Sequence, residues 1–71
     1  MNCVLKSFDV LSKSGEELAH FELFRRGAVL QVRTRNEVIH EGIGAEKCYR
    51  EAIENNRMIC MIKGFELIER M

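Results

Sequence analysis

Four arginines and no acidic residue lie within the eleven-residue stretch "RRGAVLQVRTR", residues 25–35. The guanidinium group is planar and permanently charged, and its N–H donors match the oxygens of a phosphate or a carboxylate. A cluster of this kind is typical of a surface that binds nucleic-acid phosphates or an acidic protein partner. The candidate binding residues are Arg25, Arg26, Arg33 and Arg35.

The charge of the whole chain argues against a dedicated nucleic-acid domain. The chain has 11 basic and 11 acidic residues, and its formal net charge is zero. Residues 1–24 carry a net charge of −2, residues 25–35 carry +4, and residues 36–71 carry −2. Nucleic-acid-binding domains are usually basic overall. We therefore favour a protein partner and keep nucleic acid as the alternative, beside the plain interpretation that the hairpin is simply solvated.

Four residues of the metal-ligating types are His20, His40, Cys48 and Cys60. A tetrahedral zinc site needs four ligands, usually with two of them closely paired in sequence. The spacings here are 20, 8 and 12 residues, so no closely paired ligands are present. Both cysteines also fall in apolar patterns, where cysteine behaves as a small hydrophobic residue. The sequence predicts no metal site.

The segment "HEGIG" places His40 directly before Glu41, which suggests acid–base chemistry at first sight. Neighbouring residues on a strand point to opposite faces, so these two cannot act on one proton together. Gly42 and Gly44 lack the rest of a dinucleotide-binding fingerprint and suit a strand-to-helix turn. We therefore expect no catalytic residues, no cofactor and no enzyme activity.

Strands separated by turn signals are predicted over the first 44 residues. Residues 2–11 form the first, with Val4, Phe8 and Val10 in one phase of an alternating pattern. The next three are predicted at residues 18–25, 28–34 and 37–43, and Gly27 suits the hairpin connection between the first two of them. A four-stranded antiparallel meander is the simplest arrangement.

One amphipathic helix is predicted from Ala45, with Asn55 and Asn56 as terminators. Its apolar residues recur at helical spacing, and they are Ala45, Cys48, Tyr49, Ala52 and Ile53. Residues 58–71 are ambiguous: β-branched residues and Gly64 favour a strand over a second helix. The predicted fold is α+β, a four- to five-stranded antiparallel sheet with one helix packed on one face, in the order β-β-β-β-α-β.

Length and composition bound the class of protein. Seventy-one residues suffice for a single small domain, residues 1–71, and 46% hydrophobic content is globular. The first residues lack a basic region followed by an apolar run, and no stretch is long enough to cross a membrane. Three cysteines without paired spacing suit a reducing compartment, so we expect a cytoplasmic location.

The main indication of function is the apolar surface of the sheet that a single helix is too small to cover. With the tail as a strand, Ile59 and Ile62 would lie on both of its faces, while Phe24 and Val29 are out of phase with their strands. Exposed apolar patches usually mark association surfaces, although an irregular strand that turns all these residues inward would remove the patch. The sequence therefore predicts a non-catalytic protein-binding module, an inhibitor or regulatory subunit, that forms a homodimer.

Overall fold

The computed structural model describes all 71 residues and has the predicted α+β fold with one five-stranded antiparallel sheet. Across the sheet the strands follow the order β4-β3-β2-β1-β5. The elements are β1 (Asn2–Leu11), β2 (Glu17–Arg26), β3 (Val29–Arg33), β4 (Val38–Glu41), α1 (Ala45–Lys63) and β5 (Glu66–Arg70). The predicted order β-β-β-β-α-β is confirmed.

The sheet is staggered around the long β1–β2 hairpin. β3 pairs only with residues 22–26 of β2, whereas β5 pairs only with residues 7–11 of β1. The two shorter flanking parts therefore attach to opposite ends of the hairpin. This stagger accounts for the elongated shape, with extents of 37 × 20 × 18 Å.

The core lies between α1 and one face of the sheet, here called the covered face. Phe8 is completely buried at its centre, with its ring stacked 5.0 Å from that of Phe21 and edge-on to Tyr49 at 5.6 Å. Aromatic pairs in these two geometries add to the free energy of burial. The buried hydrophobic residues are Phe8, Val10, Leu23, Val32, Ala45, Tyr49, Ile53 and Cys60. The other face of the sheet, here called the open face, has no helix over it.

A register shift in β1 alters the predicted phase of its first half. Val4 pairs with Phe24, but Lys6 pairs with Leu23, so Leu5 is an extra residue in β1. A β-bulge of this type reverses which face the following side chains occupy. Val4 therefore lies with Phe24 on the open face, and the prediction that it shares a phase with Phe8 was wrong.

Helix α1 is longer than predicted and continues through the two asparagines. Asn56 donates a hydrogen bond from Nδ2 to the carbonyl oxygen of Ala52 at 2.8 Å, so its side chain is satisfied within the helix. The helix ends at Gly64, whose φ of 73° is left-handed and whose N–H donates to the carbonyl oxygen of Cys60. Glycine adopts this conformation without the steric cost that a side chain would add.

The longer helix corrects the placement of two predicted interface residues. Ile59 and Ile62 belong to the last two turns of α1, and the final strand begins only at Glu66. The prediction of a strand with apolar residues on both faces was therefore wrong for residues 58–63. α1 is the single helix of the chain, and it does not combine the length and the apolar content needed to cross a membrane.

Candidate functional site

The four candidate binding arginines lie at the two ends of the β2–β3 pair. Arg25 and Arg26 are exposed at the end of β2. Neither has a carboxylate within 4.0 Å, since the ion pairs of the chain involve other residues. Arg33 is the last residue of β3 and Arg35 follows it in the turn, and both contact acidic residues. The stretch is therefore two separate pairs of arginines.

Arg35 is held by Glu17 through two hydrogen bonds. Its Nε donates to Oε2 at 3.0 Å and its Nη2 donates to Oε1 at 2.8 Å, the bidentate geometry that a guanidinium favours. The hydrogen bonds from Arg35 lower the pKa of Glu17, and those to Glu17 raise the pKa of Arg35. The pair ties the β3–β4 turn to the start of β2, so Arg35 serves the chain's own structure.

Arg33 lies flat on the open face of the sheet. Its Cζ is 4.0 Å from the centre of the Phe24 ring, and its Nε is 3.4 Å from Oε2 of Glu22. The guanidinium thus contacts an aromatic face and a carboxylate at the same time. Phe24 is half-buried as a result, and the open face is less apolar than its sequence suggests.

A charged network centred on His20 occupies the middle of the open face. The Nδ1 of His20 donates to Oδ1 of Asp9 at 2.5 Å, and its Nε2 donates to Oε1 of Glu22 at 3.0 Å. Arg70, from β5, forms an ion pair with the second oxygen of Asp9. The side chains of His20 and Asp9 are each only 9% exposed although no helix covers them. Neighbouring side chains of the same sheet face therefore exclude water from this network.

The network shifts the pKa values of its members in opposite directions. Desolvation lowers the pKa of His20, but the hydrogen bonds to Asp9 and Glu22 outweigh it, and the net pKa is raised above 6.5. Desolvation likewise raises the pKa of Asp9, but the hydrogen bonds from His20 and Arg70 outweigh it, and the net pKa is lowered. The arrangement therefore favours a charged imidazole between charged carboxylates.

The chemistry available to this network is limited because its groups already bind one another. A general base needs a free nitrogen or oxygen within reach of a substrate proton, and both nitrogens of His20 are engaged. Asp9, Glu17 and His20 offer ligand atoms within 4.8 Å of one another. The carboxylates of Asp9 and Glu17 already pair with Arg70 and Arg35, so a cation would have to displace two arginines.

The residues considered for zinc and for acid–base chemistry are separated by the fold. His20 lies on the open face, whereas Cys60 is buried between α1 and the covered face. His40 pairs with Val32 of the core and donates from Nε2 to the carbonyl oxygen of Ile43 at 2.7 Å. Glu41 instead accepts a hydrogen bond from Gln31, as the opposite-face argument predicts.

Four exposed apolar side chains lie together on the outer side of α1, while others, such as Val4, Leu18 and Ile43, are spread over the sheet and loops. Met58, Ile59, Met61 and Ile62 are 64, 44, 84 and 77% exposed. Phe24 and Val29 lie on the open face, as predicted. The guanidinium of Arg33 covers the Phe24 ring, and Val29 lies only at the margin of the open face. Helical spacing places Met58 and Met61 beside Ile62 on this side of α1.

Two small cavities border the unpaired ends of the hairpin. One, of about 260 Å³, lies along residues 17–21 of β2 and residues 34–36. The other, of about 160 Å³, lies under the first half of α1 beside Lys6, Tyr49 and Arg50. Burial there raises the pKa of Tyr49 to about 12, and the Lys6 ammonium lies 5.5 Å from the centre of its ring.

Two candidate functional surfaces therefore remain: the apolar outer side of α1 and the unpaired arginines Arg25 and Arg26. No protein-family model matches the chain, and neither the curated proteins nor the solved structures gave a match to it.

Proposed function

We propose that this chain is a small non-catalytic module that binds another protein chain through the outer side of α1. The observation that carries the proposal is the group of four large apolar side chains, Met58, Ile59, Met61 and Ile62, exposed on two successive helical turns. Soluble monomers rarely expose a contiguous apolar patch of this kind, and such patches usually mark association surfaces. An inhibitor or a regulatory subunit is the class of protein that this description fits.

We propose a non-catalytic module because the ionisable side chains of the chain are already bound to one another or desolvated. His20 is flanked by Asp9 and Glu22, and neither of its nitrogens is free to move a substrate proton. Tyr49 holds its proton up to a pKa of about 12 because it is desolvated, so it does not supply an anion near neutral pH. A scaffold whose ionisable groups are mutually satisfied suits binding better than chemistry.

The arginines take different parts in the proposed binding. Arg33 and Arg35 are engaged by Glu22 and Glu17, so they stabilise the sheet. Arg25 and Arg26 carry exposed charges without a carboxylate partner, and they can contact an acidic rim on the bound protein. Arginine is enriched in protein interfaces, where it often pairs with acidic residues.

Nucleic acid binding is the second candidate, and Arg25 and Arg26 are its only specific support. Two phosphate contacts give a shallow dependence of affinity on salt, because each contact releases about one counterion. The test is fluorescence anisotropy of labelled single-stranded DNA and RNA at low salt, for the parent and for Arg25→Ala/Arg26→Ala. Binding that is lost in the double variant supports this candidate, and absence of binding by the parent excludes it.

The experiment that tests the main proposal is affinity purification from the native host with three forms of the protein. Ile62→Arg places a charge in the apolar patch, whereas Ile43→Arg places the same charge at a fully exposed residue outside it. A protein retained by the parent and by Ile43→Arg, but not by Ile62→Arg, is then purified and titrated calorimetrically. Equal binding by all three forms would show that the outer side of α1 is not the docking surface.

A further inference from the structure

We infer that a small organic carboxylate binds in the cavity of about 160 Å³ under the first half of α1, held by the Tyr49 hydroxyl, the Lys6 ammonium and the Arg50 guanidinium. The cavity is separate from the outer side of the last two turns of α1, so the inference goes beyond the function proposed for that surface and does not depend on it. The stagger of the sheet creates the cavity, because β5 pairs only with residues 7–11 of β1 and Lys6 lies just past its end.

The Tyr49 hydroxyl is the group that points to a ligand. Tyr49 is only 4% exposed, and its ring packs edge-on against Phe8. Its hydroxyl forms no hydrogen bond within the chain. No side-chain oxygen or nitrogen of the chain is both sealed from solvent and without a partner, so this oxygen reaches solvent at the cavity that Tyr49 lines. A polar group in so buried a residue is costly unless another molecule supplies its partner.

The polar groups of the cavity require a ligand that accepts hydrogen bonds. Desolvation and the nearby Glu69 carboxylate raise the pKa of Tyr49 to about 12, although Arg57 opposes the shift, so the phenol keeps its proton near neutral pH and can donate it. The Lys6 ammonium lies 5.5 Å from the centre of the Tyr49 ring, close enough for a cation–π contact that holds it at the cavity. Lysine and arginine side chains only donate.

The charges around the cavity favour a ligand with a single negative charge. Five charged side chains line it, and they are Lys6, Glu46, Arg50, Glu69 and Arg70. Glu69 and Arg70 are held in ion pairs by Arg57 and Asp9. The other three form no ion pair, so two cations and one carboxylate leave one positive charge. A carboxylate matches that charge better than a phosphate group, which carries about two negative charges near neutral pH.

The volume and the walls of the cavity limit the size of the ligand. A protein cavity of about 150 Å³ holds a molecule the size of benzene. The present cavity, of about 160 Å³, therefore has room for a carboxylate with a short hydrocarbon chain. Ile53 and the Tyr49 ring form an apolar wall for that chain. Apolar walls with a few convergent polar groups are typical of sites for small molecules.

The first experiment titrates the full chain with sodium butyrate near neutral pH and at constant ionic strength, followed by amide NMR. We expect saturable shifts at the residues of the cavity, with a dissociation constant of about 1–10 mM. Butyramide, a neutral molecule of the same shape, should bind at least about tenfold more weakly, because it lacks the charge. Absence of saturable shifts, equal binding of butyramide, or tighter binding of inorganic phosphate would each overturn the inference.

Tyr49→Phe removes the hydroxyl alone and so separates a role in binding from a role in folding. The variant should bind butyrate about five- to tenfold more weakly. Its midpoint of urea unfolding should not fall, because the hydroxyl bonds no other group of the chain. Unchanged affinity for butyrate, or a lower midpoint, would show that the hydroxyl does not serve a ligand.

Charge variants test the sign of the expected effects. Arg50→Gln and Lys6→Met should each weaken butyrate binding about three- to tenfold, whereas Glu46→Gln should strengthen it about twofold. Lys47→Gln is the matched control, because Lys47 is an exposed cation of the same helix outside the cavity, and it should change the affinity by less than about twofold. Weaker binding by Glu46→Gln, or equal losses in Lys47→Gln and Arg50→Gln, would show that the anion is not held in this cavity.

A competition experiment distinguishes a free small molecule from the C-terminus of a peptide, which carries the same group. An acetylated tripeptide with a free carboxylate should not displace butyrate, because the cavity has room only for a molecule about the size of benzene. Displacement by this tripeptide, but not by its C-terminal amide, would overturn the small molecule as the ligand.

Discussion

His20 and Asp9 lie directly opposite each other on β2 and β1, and their side chains are joined by a 2.5 Å hydrogen bond from Nδ1 to Oδ1. The contact links residues 11 apart in sequence on the face of the sheet that no helix covers. It is the centre of a network that reaches Arg70 on one flanking strand and, through Glu22, Arg33 on the other. The network thus connects β1, β2, β3 and β5.

The free energy of unfolding should be greatest between about pH 4 and pH 6.5. The pKa of His20 is raised on folding, so its contribution is fully present below 6.5 and is lost as the pH rises through the folded value. The pKa of Asp9 is lowered, so its contribution is present above 3.8 and is lost as the pH falls through the folded value. Urea unfolding across this range measures both limbs, and His20→Gln should flatten the decline above pH 6.5. An unchanged slope in that variant would contradict the assignment.

Asp9→Asn should destabilise the fold by about 2 kcal/mol, because it removes the charged acceptor of two side-chain hydrogen bonds. The same change should lower the pKa of His20, which loses its closest carboxylate. Two-dimensional NMR titration of the imidazole measures the pKa, and chemical unfolding measures the stability. Glu66→Gln is the control, since Glu66 is an exposed β5 carboxylate outside every ion pair and should change the stability by less than about 0.5 kcal/mol.

Gly64→Ala should destabilise the chain by about 1 kcal/mol, because the φ of 73° at the end of α1 is unfavourable for a residue with a Cβ. A Cβ there would also lie 2.9 Å from Cε of Lys13, a flexible side-chain end that can move away. Gly15→Ala has a similar φ of 87° and open space around it, so it isolates the backbone cost. Thermal unfolding should show comparable losses at both sites; a loss at Gly64 that disappears with Lys13→Ala would instead point to the side-chain contact.

Phe8→Ala should unfold the chain at room temperature. Deleting a buried phenylalanine side chain costs about 3–5 kcal/mol, which is a large part of the stability of so small a domain. Phe8 is fully buried and contacts the rings of Phe21 and Tyr49, so the neighbours cannot fill the cavity without leaving their own positions. Collapse of the dispersed amide NMR spectrum is the measurement. Leu18→Ala, at a half-exposed residue, should retain it.

Much of this fold follows from hydrophobic periodicity alone. The alternation of Ala19, Phe21 and Leu23, and the helical spacing from Ala45 to Ile53, correctly predict both the strands and the face of α1 that packs on them. Periodicity succeeds there because one side of each element is buried and the other is wet. The end of α1 was missed because its outer side is apolar as well. A segment with apolar residues on every side has no hydrophobic periodicity, so its sequence does not distinguish a helix from a strand.

The open-face network was beyond prediction for a different reason. His20 and Glu22 could be placed on one face of β2 from alternation, but their partners Asp9 and Arg33 are set by the registers of two other strand pairs. The bulge at Leu5 shows that a single extra residue can change the register of a strand pair, since it moves Val4 to the other face of the sheet. The arginines were correctly placed on a hairpin, yet only the register shows that Glu17 and Glu22 engage two of them.

The pairing of β5 with β1 sets the order in which this chain can fold. The ion pair between Asp9 and Arg70 joins residues 61 apart, almost the full length of the sequence. The hairpins β1–β2, β2–β3 and β3–β4 can form from neighbouring segments, but the edge of β1 at residues 7–11 stays unpaired until the last strand is available. Closing so long a loop costs conformational entropy before any contact compensates for it, so docking of β5 should be a late and slow step in refolding. During synthesis, the nascent chain would expose the β1 edge until residues 66–70 have emerged.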